Sequence, residues 1–273
     1  MTAGANHNCA LLDDGRVKCW GFNDRGQLGL GDVQSRGDQP GEMGAALPAV
    51  DLGTGRTATA ISAGGDLTCA VLADRSVKCW GYGLYGGLGQ GDASTRGDAP
   101  GEMGDNLPPV DLGQGRTVSA VSVTGFGTAC ALLDDGRVKC WGRNADGRLG
   151  IGNTADRGDG PWEMGISLRP VRLGTGRTAT AVAVGDTHAC AVLDDASLRC
   201  WGDGSAGQLG QGDTADRGDA PGEMGDALPA VAVGTGRSVT AVAVSWNRTC
   251  ALLDDGSIKC WGAIGAHRAN TSD

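Results

Sequence analysis

Ten cysteines, three histidines and many carboxylates are the side chains of this sequence that could do chemistry. The cysteines fall into pairs: Cys9 with Cys19, Cys69 with Cys79, Cys130 with Cys140, Cys190 with Cys200, and Cys250 with Cys260. None is left over as a reactive thiol. Zinc would call for CxxC spacing or neighbouring His, and the pairs have neither. His7, His188 and His267 stand in no Ser-His-Asp order and no HExxH motif, and the Asp and Glu recur by repeat where an active site would be singular. The sequence therefore predicts no catalytic residue, no cofactor and no enzyme. Asp32, Asp38 and Glu42 could ligate calcium. Asn153 replaces the first of these carboxylates in the third copy and the spacing fits no known calcium loop, so no metal site is assigned.

Two motifs invite a sharper reading. Gly26-Gln27-Leu28-Gly29-Leu30-Gly31 loosely resembles a phosphate-binding GxGxxG, but it follows no βαβ unit and its glycines recur at Gly86, Gly89 and Gly91 and twice more. Turn geometry explains four copies better than four phosphate cradles do. Arg-Gly-Asp occurs at 36–38, 96–98, 157–159 and 217–219. Its fixed place in each copy favours a structural loop, with Arg pairing a local carboxylate or carbonyl, over an adhesion ligand.

What positions these residues is a repeat. The triplets Cys19-Trp20-Gly21, Cys79-Trp80-Gly81, Cys140-Trp141-Gly142, Cys200-Trp201-Gly202 and Cys260-Trp261-Gly262 recur about every 60 residues, the signature of a tandem array. The units lie near 1–56, 57–116, 117–177, 178–237 and 238–262, with an irregular tail at 263–273. No stretch has helical periodicity. Glycine-bounded runs rich in Val, Leu, Ile, Thr and Trp give four strands per unit, in the first near 7–12, 16–20, 47–52 and 57–63. Pro48, Pro108, Pro109, Pro170 and Pro229 mark the third of these as an outer edge, because proline cannot donate to a ladder. Four strands with one fixed edge describe a propeller blade.

The unit C-A-L-L-D-D-G-x-V-K-C-W-G-x-N-x-x-G-Q-L-G-x-G-D resembles the regulator-of-chromosome-condensation repeat along nearly the whole chain. The resemblance implies an all-β propeller of four-stranded antiparallel blades, usually seven to a ring, with partners that vary between members. With about four and a half units, an incomplete ring of about five blades is expected. In the hairpin, a three-residue loop Asp13-Asp14-Gly15 sets Leu12 opposite Arg16 and so Cys9 opposite Cys19, with Cα atoms about 4.5 Å apart, near the lower end of disulfide geometry. Bridges inside each hairpin are expected, with buried free thiols as the alternative. Bridges imply an oxidising compartment, extracellular or in the cell envelope. As the N-terminal MTAGANHN has no signal-peptide pattern, they also suggest a segment of a larger secreted or surface protein.

The formal charge of −9 argues against a nucleic-acid partner, which needs Lys and Arg to displace counterions, and no run is long enough for a membrane span. Recognition is expected where the units disagree. The loops before the first Cys of each pair carry Asp66, Phe126, Asp186 and Trp246, and Trp162 replaces Gly41, Gly101 and Gly222. Phe126, Trp162, His188 and Trp246 are the candidate binding rim. The expected function is a non-catalytic protein-binding scaffold, with a guanine-nucleotide exchange factor-like regulator of a small GTPase as the alternative.

Overall fold

A computed structural model of the chain describes residues 1–263. His267 and all but the first residue of the expected tail lie outside them. Among the described residues fifteen strands form five antiparallel sheets of three. The first holds β1 (Thr2–Ala3), β2 (His7–Leu11) and β3 (Val17–Gly21), and the second β4 (Ala58–Gly64), β5 (Leu67–Leu72) and β6 (Val77–Gly81). The third holds β7 (Val118–Val123), β8 (Thr128–Leu133) and β9 (Val138–Gly142), and the fourth β10 (Ala179–Val184), β11 (His188–Leu193) and β12 (Leu198–Gly202). The last holds β13 (Val239–Ser245), β14 (Arg248–Leu253) and β15 (Ile258–Gly262).

The expected four-stranded blade is corrected here to three strands. The proline-bearing outer segment does run along the third strand, but one backbone bond is all it makes there: Val50 donates to Val17, Val110 to Val77, Val171 to Val138 and Val231 to Leu198. In an antiparallel ladder the next rung lies two residues away, where Pro48, Pro108 and Pro229 have no N–H to give.

Hydrophobic burial between consecutive sheets makes the core. Cys69, Val71, Val77 and Cys79 of the second sheet pack on Ala129, Ala131, Leu133 and Trp141 of the third. Four indole N–H groups reach back to the preceding unit: Trp80 Nε1 donates to Gln27 O at 3.2 Å, Trp141 to Gly87 O at 3.0 Å, and Trp201 to Arg148 O and Trp261 to Gln208 O at 2.9 Å. The amines of Lys78 and Lys139 are buried and each donates to two carbonyls, at 2.7–2.9 Å. At the last sheet this packing stops: Ile258 is 68% exposed, where its counterparts Val77 and Val138 are at most 1% exposed. No hydrogen bond joins β13–β15 to β1–β3 among the described residues.

The hairpin register is the expected one. Leu12 donates to Arg16, Cys9 stands opposite Cys19, and all five cysteine pairs are bonded with Cα atoms 4.0 or 4.1 Å apart. The tight turn needs a left-handed residue, at φ 79° for Gly15, 74° for Gly136 and 80° for Gly256; Arg75 and Ala196 are held there too, at 63° and 60°.

Candidate functional site

Each inner strand ends in a short loop, and the five loops surround one hollow of about 560 Å³, with Ala5, Gly65, Phe126, Asp186 and Trp246 lining it from successive sheets. The loops are tied to one another. Ala5 N donates to Gly65 O at 3.0 Å, Gly125 N to Asp186 Oδ1 at 2.9 Å, and Thr187 Oγ1 to Asn247 Oδ1 at 3.1 Å. The second and third loops touch backbone to backbone, since a Cβ on Gly65 would lie 2.3 Å from Gly125 O. Burial pushes the Asp66 and Asp186 carboxyls above the usual range.

Of the four candidate rim residues, three are exposed and one is not. Phe126 is 42% and Trp246 66% exposed, and both line this hollow. Trp246 sits at φ 39° in a two-residue turn, at the position that Gly65 fills, at φ 54°, in the second sheet. Trp162 is 90% exposed and left-handed at φ 69°, but it lines a separate hollow with Pro108, Pro109 and Ile166. The expected single patch is therefore split. His188 is corrected outright: it is fully buried, and its Nε2 lies 2.7 Å from Thr249 Oγ1. That hydroxyl donates to Gln208 O, so His188 carries its proton on Nε2 and joins two units instead of facing a partner. His7 does the same with Thr68 and Gln27, and burial lowers both imidazoles to about 4.

Next to the hollow, between the second and third sheets, is a smaller slot of about 80 Å³ that sequence reading missed, lined by Asp66, Leu67, Tyr82, Leu84, Tyr85 and Phe126. Arg25 stacks 4.9 Å from the Tyr82 centroid, and Arg143 lies 5.0 Å from that of Tyr85 and 5.6 Å from that of Phe126. A signal was present: the chain has only two Tyr and two Phe, and three of these four line this slot.

The repeated motifs are spent on structure. Arg36 is held by Asp32 at 2.6 Å, Arg96 by Asp92 and Arg217 by Asp213 at 2.8 Å, while Arg157, facing Asn153, donates to carbonyls. Gly37 N donates to Glu42 Oε2 at 2.8 Å, and Gly97, Gly158 and Gly218 do likewise to Glu102, Glu163 and Glu223. Among the described residues no group of three or more His, Cys, Asp or Glu converges as a metal site.

Comparison with known proteins agrees with this architecture. The chain is 31% identical over 267 residues to the Ultraviolet-B receptor UVR8 of Arabidopsis thaliana, covering 96% of this chain and 52% of the receptor. To the human E3 ubiquitin-protein ligase HERC2 it is 29% identical over 216 residues, 78% of this chain and 4% of the ligase. The chain thus spans about half the length of the receptor and a small part of the ligase. Yeast RCC1 (Prp20), solved bound to Kap60, superimposes with a TM-score of 0.70 at 20% identity, over 96% of this chain and 55% of that one, which shows the shared fold. Family models described as "Regulator of chromosome condensation (RCC1) repeat" match residues 1–27, 118–148, 179–208 and 239–263, and 135–192. With these matches over more than half its length, the chain belongs to the regulator-of-chromosome-condensation repeat family.

Proposed function

We propose that this chain is a non-catalytic protein-binding scaffold whose partner docks over the inner-loop hollow, with Phe126 and Trp246 as anchors and Trp162 as an outlying one. The observation that carries this reading is the fate of the seven tryptophans. Five belong to the repeat and are buried or half-buried with their N–H groups largely spoken for, whereas Trp162 and Trp246 depart from the repeat and are exposed. Large rigid aromatics displayed by loops on a fixed framework are the usual hot spots of protein interfaces. The five bonded cysteine pairs support maturation in an oxidising compartment, extracellular or in the cell envelope.

The test is comparative capture. Proteins retained by the wild type should be lost by a Phe126→Ala, Trp246→Ala variant whose melting temperature is unchanged. Undiminished retention would overturn the reading, and accelerated nucleotide release from a panel of small GTPases would replace it with an exchange-factor role.

A further inference from the structure

We infer that the slot between the second and third sheets takes a peptide that presents an apolar side chain next to an acidic one. The inference rests on the proposed docking rim and specifies its ligand chemistry. The slot has about the room of one aliphatic side chain, and its lining of Leu67, Tyr82, Leu84, Tyr85 and Phe126 is apolar. Leu84 and Phe126 are 36% and 42% exposed at its mouth, so a side chain entering it would cover apolar surface that water now touches.

Charge selects the neighbour. Many of the chain's guanidinium groups are neutralised on its own carboxylates: Arg36, Arg96, Arg116, Arg137, Arg177 and Arg217 each hold an Asp. Among the described residues Arg143 is not, nor are Arg75, Arg169 and Arg172, and of these four Arg143 is the one found over rings that line the slot. It has no ion pair and no side-chain hydrogen bond among the described residues, and its guanidinium carbon lies over the rings of Tyr85 and Phe126, 5.0 and 5.6 Å from their centroids. A guanidinium held over ring faces keeps donors that can take a carboxylate in bidentate fashion. A cationic ligand is disfavoured, because the ring faces that would attract it are already covered by Arg25 and Arg143,. Among the described residues Asp66 is the one acid lining the slot; Gln27 Nε2 donates to it at 3.2 Å. Independent support comes from the backbone: Tyr85 is held left-handed at φ 59°, and such strain in a non-Gly residue is concentrated at ligand sites.

The probe is N-acetyl-Gly-Asp-Leu-Gly amide, titrated calorimetrically at low ionic strength beside its Asn-Leu and Lys-Leu counterparts. The Asp-Leu peptide should bind roughly tenfold more tightly than either, the ratio expected for one hydrogen-bonded charge pair. Arg143→Gln should erase that ratio, and Arg16→Gln on the opposite rim should not. Should Arg143→Gln lower the melting temperature, Arg143→Lys gives the same readout, since an ammonium lacks the planar fork. Equal affinities, preference for the Lys peptide, no binding, or a preference that survives loss of Arg143 would each overturn the inference. Failure of the peptides together with a captured protein lost on Trp246→Ala would reject the slot and leave the rim reading standing. Peptide preference with capture indifferent to Trp246 and Phe126 would do the reverse.

Discussion

The two rims of this array use the same side chains in opposite ways. On the rim of the hairpin turns the second to fifth units repeat one set of bonds. Arg56 reaches Asp74 at 2.5 Å, Arg116 reaches Asp135 at 2.5 Å, Arg177 reaches Asp195 at 3.0 Å and Arg237 reaches Asp255 at 3.3 Å. The second carboxylate oxygen of each Asp accepts from the backbone two residues on. Hydrogen bonds from Ser76, Ser197 and Ser257 hold Asp74, Asp195 and Asp255 below the usual carboxylate range. On the inner-loop rim the units diverge: the second and fourth carry Asp66 and Asp186, both pushed up by burial, the third and fifth carry Phe126 and Trp246 at the outlying positions, Arg143 lies over two rings without an ion pair, and Tyr85 and Trp246 are left-handed. Groups satisfied within the chain specify the fold, and groups left unsatisfied at fixed places on the other rim are free to specify what the fold is for.

The largest effect expected lies in the hairpins that end at the turn rim. Five bridges, each closing a ten-residue separation, should stabilise by about 2–3 kcal/mol apiece, and reduction should raise the intact mass by ten hydrogens. Ten alkylatable thiols in protein purified without reductant from an oxidising host would break the comparison at its base, since the hairpins would then not be locked.

Next comes the layer beneath the inner loops. His7 and His188 have folded pKa values of about 4 against 6.5 unfolded, so the unfolded chain takes up these protons first. Their contribution is whole above about pH 6.5 and is lost as pH falls toward 4, up to about 3 kcal/mol per site. The interface between the second and third sheets offers a control, because Leu67 and Ala129 stand where His7 and Thr68 do. His7→Leu with Thr68→Ala should remove one site's share of the acid loss in urea melts at pH 7 and 4.5; an unchanged slope would contradict the account.

A smaller effect separates strain held for a structural turn from strain held for a ligand. Trp246→Gly should raise stability by about 1 kcal/mol, because glycine meets a positive φ without penalty, while costing a partner roughly 2 kcal/mol if Trp246 is a hot spot. On the turn rim Arg75→Gly and Ala196→Gly should gain about 1 kcal/mol each and change no binding. A loss of stability in both turn variants would remove the parallel.

The turn rim was legible from the sequence because its chemistry is local and repeated. Gly15, Gly136 and Gly256 announce the left-handed turn, and the loop length fixes the register that brings Cys9 to Cys19. The outer strand was over-read, because proline in a run of Val and Leu marks an edge without saying that a single rung survives. The inner-loop rim was only half legible. Its outliers Phe126 and Trp246 were visible as breaks in the repeat, but whether an outlier faces inward or outward depends on packing between units. His188 looked like Phe126 in the sequence and is buried because Thr249 of the next unit meets it. Tyr82 and Tyr85 escaped because their slot is assembled from residues of two units, 66–85 and 126, which no period reveals.

The most direct test of the central claim measures one partner's affinity and the melting temperature together for Phe126→Ala with Trp246→Ala, and for Arg75→Gly with Ala196→Gly. The account predicts that the first pair weakens binding by an order of magnitude or more, that is about 1.4 kcal/mol or above, with the melting temperature unmoved or raised. It predicts that the second pair raises the melting temperature and leaves affinity alone. Affinity that follows the turn variants, or ignores the aromatic ones, would contradict it.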